Sequence, residues 1–187
     1  MQVTAQSLPE VLEISPQKFA DARGFFSETY NMEEFAEAGI AMSFVQDNHS
    51  HSTERGVLRG LHYQLPPFAQ DKLIRVIKGA IFDVAVDIRQ GSPRYGQWCA
   101  CTISARAWNQ LFVPKGFAHG FLTLEPDTEV TYKVSDRYAP EHERAIHFAD
   151  PDLAITWPLD GIEPILSDKD RIAPSLKDQP AAFQFSE

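Results

Sequence analysis

Short runs of apolar and β-branched residues recur about every ten positions along this chain, and glycine or proline closes most of them. That spacing leaves no room for the crossover helices of a βαβ fold and predicts an all-β sandwich or barrel. Strands are expected over Glu10–Ser15, Phe25–Tyr30 (carrying Glu28), Phe44–Asn48, Val57–Gln64, Lys72–Ile77 and Ala80–Arg89. Further strands are expected over Trp98–Ser104, Gln110–Val113, Ala118–Leu124 and Glu129–Val134, with a last one over Ile146–Phe148. Ala80–Arg89 alternates Ile81, Asp83, Ala85, Asp87 and Arg89 against Phe82, Val84, Val86 and Ile88, so one face is expected to be core. One short helix is expected at Met32–Ala38, with Asn31 as N-cap, Glu34 as the acid of a capping box and Gly39 just past its end. A helical turn is expected within Ile165–Arg171, and the residues from Lys177 onward are expected to be loosely attached.

The segment Gly56–Val76 concentrates reactive side chains. Two strand-like runs flank a Pro66-Pro67 loop, and they carry Arg59, His62 and Lys72. A histidine exchanges protons near neutral pH, and an adjacent lysine or arginine stabilises an oxyanion or a phosphate. The ordinary alternative is a half-buried strand histidine beside an edge lysine. Arg59 and His62 are three apart, so in a regular strand they face opposite sides; they share a pocket only if Gly60 marks a bulge or Arg59 serves a neighbouring site.

Composition narrows the function classes. The 187 residues suit one domain with a real core, and no apolar run is long enough to span a membrane. Met1–Pro9 lacks the basic start and apolar stretch of a secretory signal, so a cytoplasmic location is expected. A net charge of −9 argues against nucleic acid or an anionic membrane as partner. Any phosphate site must then be built from local arginines and lysines, of which Arg23, Arg59, Lys72, Arg75 and Lys169 are candidates. Cys99 and Cys101 read as reduced, packed thiols.

Pro114–His119 has the spacing P-x-G-x-x-H of the second cupin motif, and His49-Ser-His51-Ser-Thr-Glu54 imitates its partner. Together His49, His51, Glu54 and His119 would make a facial metal site. Against this, the imitation lies in a polar, turn-like stretch, its glutamate spacing is one residue short, and Thr123 stands where that pattern usually has asparagine.

Several segments taken together resemble the dTDP-4-dehydrorhamnose 3,5-epimerases. They include Arg23-Gly-Phe-Phe-Ser-Glu28, Gln46-Asp-Asn-His-Ser50, Gly56–Gln64, Gln70-Asp-Lys72, Asp83–Arg89, Pro114–Phe121, Tyr132-Lys133, Tyr138-Ala-Pro140 and Leu166–Asp170. The resemblance implies an all-β, cupin-type double-stranded β-helix (jelly roll) with one short N-terminal helix and short C-terminal helical turns. It implies a homodimer without metal or organic cofactor, acting on a dTDP-linked 4-keto-6-deoxyhexose. It also implies roles: His62 as base, Asp170 as its orienting carboxylate, Lys72 as the cation at the enolate oxygen and Tyr132 as acid. Arg23, Arg59 and Lys169 would surround the nucleotide, pyrophosphate and sugar. Glu28, Gln46, Asp47, Asn48, His119 and Glu143 would line the pocket. A relative inverting only C3 or only C5 would share these residues, and a metal-dependent cupin enzyme is the alternative of a different class.

Overall fold

The computed structural model describes residues 1–186. Two antiparallel sheets face each other. One has six strands in the order β1 (Gln2–Ala5), β2 (Leu12–Ser15), β10 (Gln110–Val113), β7 (Lys72–Lys78), β12 (Thr128–Val134), β5 (Gln46–Ser52). The other has five, in the order β13 (Glu143–Ala145), β6 (Leu58–Gln64), β11 (Phe117–Thr123), β8 (Ala80–Asp87), β9 (Trp98–Ser104). A detached hairpin, β3 (Phe19–Asp21) with β4 (Gly24–Phe26), belongs to neither sheet. This is the jelly-roll arrangement expected of a cupin.

Three apolar layers explain why the strands sit as they do. Between the sheets, Ile74, Val76 and Val130 meet Ile81, Ala85, Cys99, Ile103, Phe117 and Phe121. On the outer side of the six-stranded sheet, α1 (Met32–Glu37) lays Phe35 over Ile14, Leu73 and Phe112. Asn31 caps that helix by accepting from the backbone N–H of Glu33 and Glu34, and Gly39 follows at a φ of +88°, as the sequence led us to expect. On the outer side of the five-stranded sheet, the segment from Ile146 to Phe183 covers Leu58, Tyr63, Val84, Val86 and Leu122.

That outer cover overturns several expectations. β8 is buried on both faces, with its even-numbered residues packed under the C-terminal segment. Residues 179–185 are attached: Gln179 accepts from the Tyr63 hydroxyl, and Gln90 exchanges backbone hydrogen bonds with Phe183 and Phe185. Gln2–Ala5 forms an edge strand that alternation did not reveal, because it is only four residues long and mostly exposed. Of the strand expected at Phe25–Tyr30 only Phe25 and Phe26 are strand, in the second arm of the hairpin, and Glu28 lies beyond it. The last strand is Glu143–Ala145, just before the expected Ile146–Phe148, and α2 (Asp168–Arg171) supplies the expected helical turn.

Candidate active site

A cavity of about 590 Å³ opens between the two sheets, a size ordinary for a small-molecule site. The five-stranded sheet and α2 contribute Arg59, His62, His119, Glu143, Lys169 and Asp170 to its wall. The opposite sheet contributes Gln46, Asn48, Ser50, Lys72 and Tyr132.

The bulge in β6 makes this wall. His62 pairs with His119 and Arg59 with Phe121, so three steps on β6 match two on β11. The extra residue brings Arg59 and His62 to the same side. Gly60 permits it: its φ is +117°, and a Cβ there would lie 2.6 Å from Gly120 Cα and 2.7 Å from the His119 carbonyl oxygen.

His62 Nε2 lies 2.5 Å from Asp170 Oδ1. Asp170 is 3% exposed and is held by the short α2, where the Ser167 hydroxyl accepts from its backbone N–H. Burial works to raise the Asp170 carboxyl, but the hydrogen bond and charge of His62, the Ser167 contact and the Lys169 charge outweigh it, so it titrates below the usual carboxylate range. With Nε2 engaged, Nδ1 is the ring nitrogen left to handle a proton.

Lys72 is 8% exposed, and its ammonium donates to the His62 carbonyl at 3.3 Å. Burial pushes it down to about 8, against the charges of Asp83 and Glu143. Burial also raises the Tyr132 phenol, with the Arg59 charge pulling the other way, so Tyr132 is protonated at neutral pH. Glu143 accepts from Lys169 at 2.6 Å and from the Tyr138 hydroxyl at 2.8 Å; these contacts and the nearby cations overcome its burial and hold it below its ordinary value. Arg59 donates to the His51 carbonyl and the Ser52 hydroxyl, while its Nε is buried without a partner. His119 is buried, and its Nε2 lies 2.7 Å from Asp83 Oδ1.

Of the residues expected at the site, His62, Asp170, Lys72, Tyr132, Arg59, Gln46, Asn48, His119, Glu143 and Lys169 line this one cavity. Arg23, Glu28 and Asp47 do not. Arg23 sits at the hairpin tip, its side chain 90% exposed and paired with Asp21. Asp47 points to the outer face of β5, where it binds Lys133. Ser50, Gln64, Gln70 and Tyr138 also line the cavity and were not singled out; all four stood in matching blocks, which was the available signal.

The alternative metal set does not assemble. His49 and His51 lie on a regular strand, not in a turn, and project outward to Glu129 and Asp127. His119 is between the sheets, bound to Asp83. Among the described residues, no three histidine, cysteine, aspartate or glutamate side chains are grouped to hold a metal ion. No helix among them is long and apolar enough to cross a membrane.

Residues 5–178 match the family model described as dTDP-4-dehydrorhamnose 3,5-epimerase. The chain is similar to the Pseudomonas aeruginosa protein of that name, at 51% identity over 179 residues, 95% of this chain and 97% of the other. Its fold is similar to the dTDP-6-deoxy-D-glucose-3,5-epimerase of Legionella pneumophila solved with dTDP-4-keto-L-rhamnose. That match has a TM-score of 0.94 at 44% identity and covers 100% of this chain and 99% of the other. A 3′-monoepimerase of Streptomyces bikiniensis, solved with dTDP-quinovose, is similar at a TM-score of 0.86 and 36% identity over 92% of this chain and 87% of the other.

Proposed function

Because the chain belongs to the dTDP-4-dehydrorhamnose 3,5-epimerase family, we propose that its cavity takes dTDP-4-dehydro-6-deoxy-D-glucose and inverts C3 and C5 to give dTDP-4-dehydro-L-rhamnose. The observation that carries this reading is the placement of base and acid on opposite walls. The His62–Asp170 pair is on the five-stranded side and the Tyr132 phenol on the six-stranded side. Inversion at a carbon needs this arrangement, since the proton must leave one face and return to the other.

The C4 ketone makes the C3 and C5 hydrogens acidic. His62 Nδ1 takes the proton, and the electron pair moves into the C4 carbonyl to form an enolate. Asp170 holds the ring by Nε2 and stabilises the imidazolium that forms. The Lys72 ammonium balances the charge on the enolate oxygen. Tyr132 then returns a proton to carbon from the far wall. The imidazolium releases its proton to solvent and the phenolate regains one before the second inversion. Arg59, with a buried donor still free, and Lys169 suit a diphosphate; Gln46, Asn48, Tyr138, Glu143 and His119 suit the nucleoside and sugar.

Arg23 and Glu28 fit the same reading in trans. The detached hairpin exposes Phe19, Phe25 and Phe26 and lies outside its own chain's cavity, which suits contact with a second copy. We therefore place the working unit as a homodimer in which the hairpin of one protomer completes the nucleotide site of its partner. Free thiols at Cys99 and Cys101 accord with a reducing, cytoplasmic location.

Proton NMR of EDTA-treated protein with dTDP-4-dehydro-6-deoxy-D-glucose tests the assignment. Product inverted at both C3 and C5 is the expected result. Product inverted at one carbon would assign the chain to the monoepimerase type, and no conversion until a divalent metal is added would overturn the mechanism.

A further inference from the structure

Asp83 has no part in the chemistry above, yet it binds His119, and its charge acts on the buried Lys72 without contacting it. It lies on β8 with no exposed surface, opposite Phe121 on β11. Its Oδ1 meets His119 Nε2 at 2.7 Å. Its Oδ2 is buried without a hydrogen-bond partner. A carboxylate removed from water with half its acceptor capacity unused is costly unless a cation balances it. We propose that Asp83 is a positioning residue, its carboxylate fixing His119 through Nε2 and balancing the buried Lys72 ammonium. This rests on the epimerase reading, and it gives a reason for a charge in a core that Asn or Leu could otherwise fill.

The groups around Lys72 sharpen the argument. His62 on β6, His119 on β11, Tyr132 on β12, Glu143 on β13 and Asp170 and Lys169 on α2 share its cavity. Among charges that favour the ammonium, Asp83 acts most strongly and Glu143 next, while Lys169 opposes. Glu143 is already bound by Lys169 and Tyr138, and Asp170 by His62. Asp83 is thus the carboxylate with unspent capacity. With His119 Nε2 taken, Nδ1 is left as the acceptor nitrogen toward the substrate, suited to a sugar hydroxyl.

The test is the pH dependence of kcat for wild type and Asp83→Asn, whose amide keeps the shape and removes the charge. Folding is checked by circular dichroism and thermal melting. In wild type the alkaline limb belongs near pH 8, where Lys72 loses its proton. Asp83→Asn moves that limb to lower pH by about one unit, as loss of a close opposite charge does, so kcat falls most at alkaline pH. A folded, active variant with the limb unmoved overturns the proposal. Nitrogen-15 NMR of wild-type protein gives a second test that needs no Asp83 variant, with the His119 signal assigned by its loss in His119→Gln. Nε2 protonated and Nδ1 unprotonated is expected; the opposite tautomer overturns the proposal. A wild type that never turns over the nucleotide sugar would overturn the epimerase reading instead, which the tautomer measurement does not depend on.

Discussion

His62 and Tyr132 divide one proton transfer between them, and their variants are expected to differ in kind. His62→Ala lacks the base and loses turnover by roughly 10³-fold or more. Tyr132→Phe keeps the base and Lys72, so it retains part of the proton abstraction while failing to deliver the proton to the correct face; product stereochemistry by NMR checks this. Asp170→Asn keeps the hydrogen-bonding shape but loses the charge that orients His62, and kcat is expected to fall by roughly 10²- to 10⁴-fold with KM nearly unchanged. These residue types were legible in the sequence because His62, Lys72, Tyr132 and Asp170 stand in distinctive blocks. Their union in one cavity was implied by the family resemblance alone and not by spacing or periodicity, because Asp170 lies 108 positions from His62 and reaches it through a four-residue helix.

At the scale of the element, β6 is decisive. Spacing alone raised the conflict between Arg59 and His62 and left two resolutions, a bulge at Gly60 or an Arg59 that serves a neighbouring site; the register shift against β11 shows the bulge. Gly60→Ala places a methyl group into the β11 backbone at a φ unsuited to alanine. It is expected to destabilise the fold by about 3 kcal/mol, read as a lowered Tm and a loss of activity. Arg89, just past β8, is the other test at this scale. It binds the fully buried Asp87 twice, reaches Glu10 and packs over Phe117 and Phe185. Burial alone would raise the Asp87 carboxyl, but the bonds from Arg89 and Ser92 hold it below its ordinary value. The stability it contributes is therefore complete above about pH 4 and is lost as pH falls through the lower folded value. Arg89→Ala leaves Asp87 buried and unpaired, and urea denaturation at pH 7 is expected to show a loss of about 3 kcal/mol. Elements with strong alternation were readable, whereas β1 and the C-terminal cover were not. β1 is a four-residue, mostly exposed edge strand paired only with its neighbour β2, and the C-terminal cover is held by long-range contacts, of which a periodicity of two or 3.6 carries no record.

For the whole molecule, the sequence grouped Arg23 and Glu28 with the pocket, and the single chain separates them from it. A mixed-dimer experiment decides between the two arrangements. Arg23→Ala has a weakened site and His62→Ala a dead one. If Arg23 acts across the dimer, co-refolded heterodimers contain one complete site and regain activity close to half that of wild type; without exchange the mixture shows only the average of its parents. The central claim, that one base serves both carbons from one wall of the cavity, has a more direct test. Wild type and His62→Ala are incubated with dTDP-4-dehydro-6-deoxy-D-glucose in deuterated water, and deuterium at C3 and C5 is followed by proton NMR. The account predicts deuterium at both carbons with wild type and at neither with His62→Ala. Exchange at either carbon by His62→Ala at near wild-type rate would contradict it.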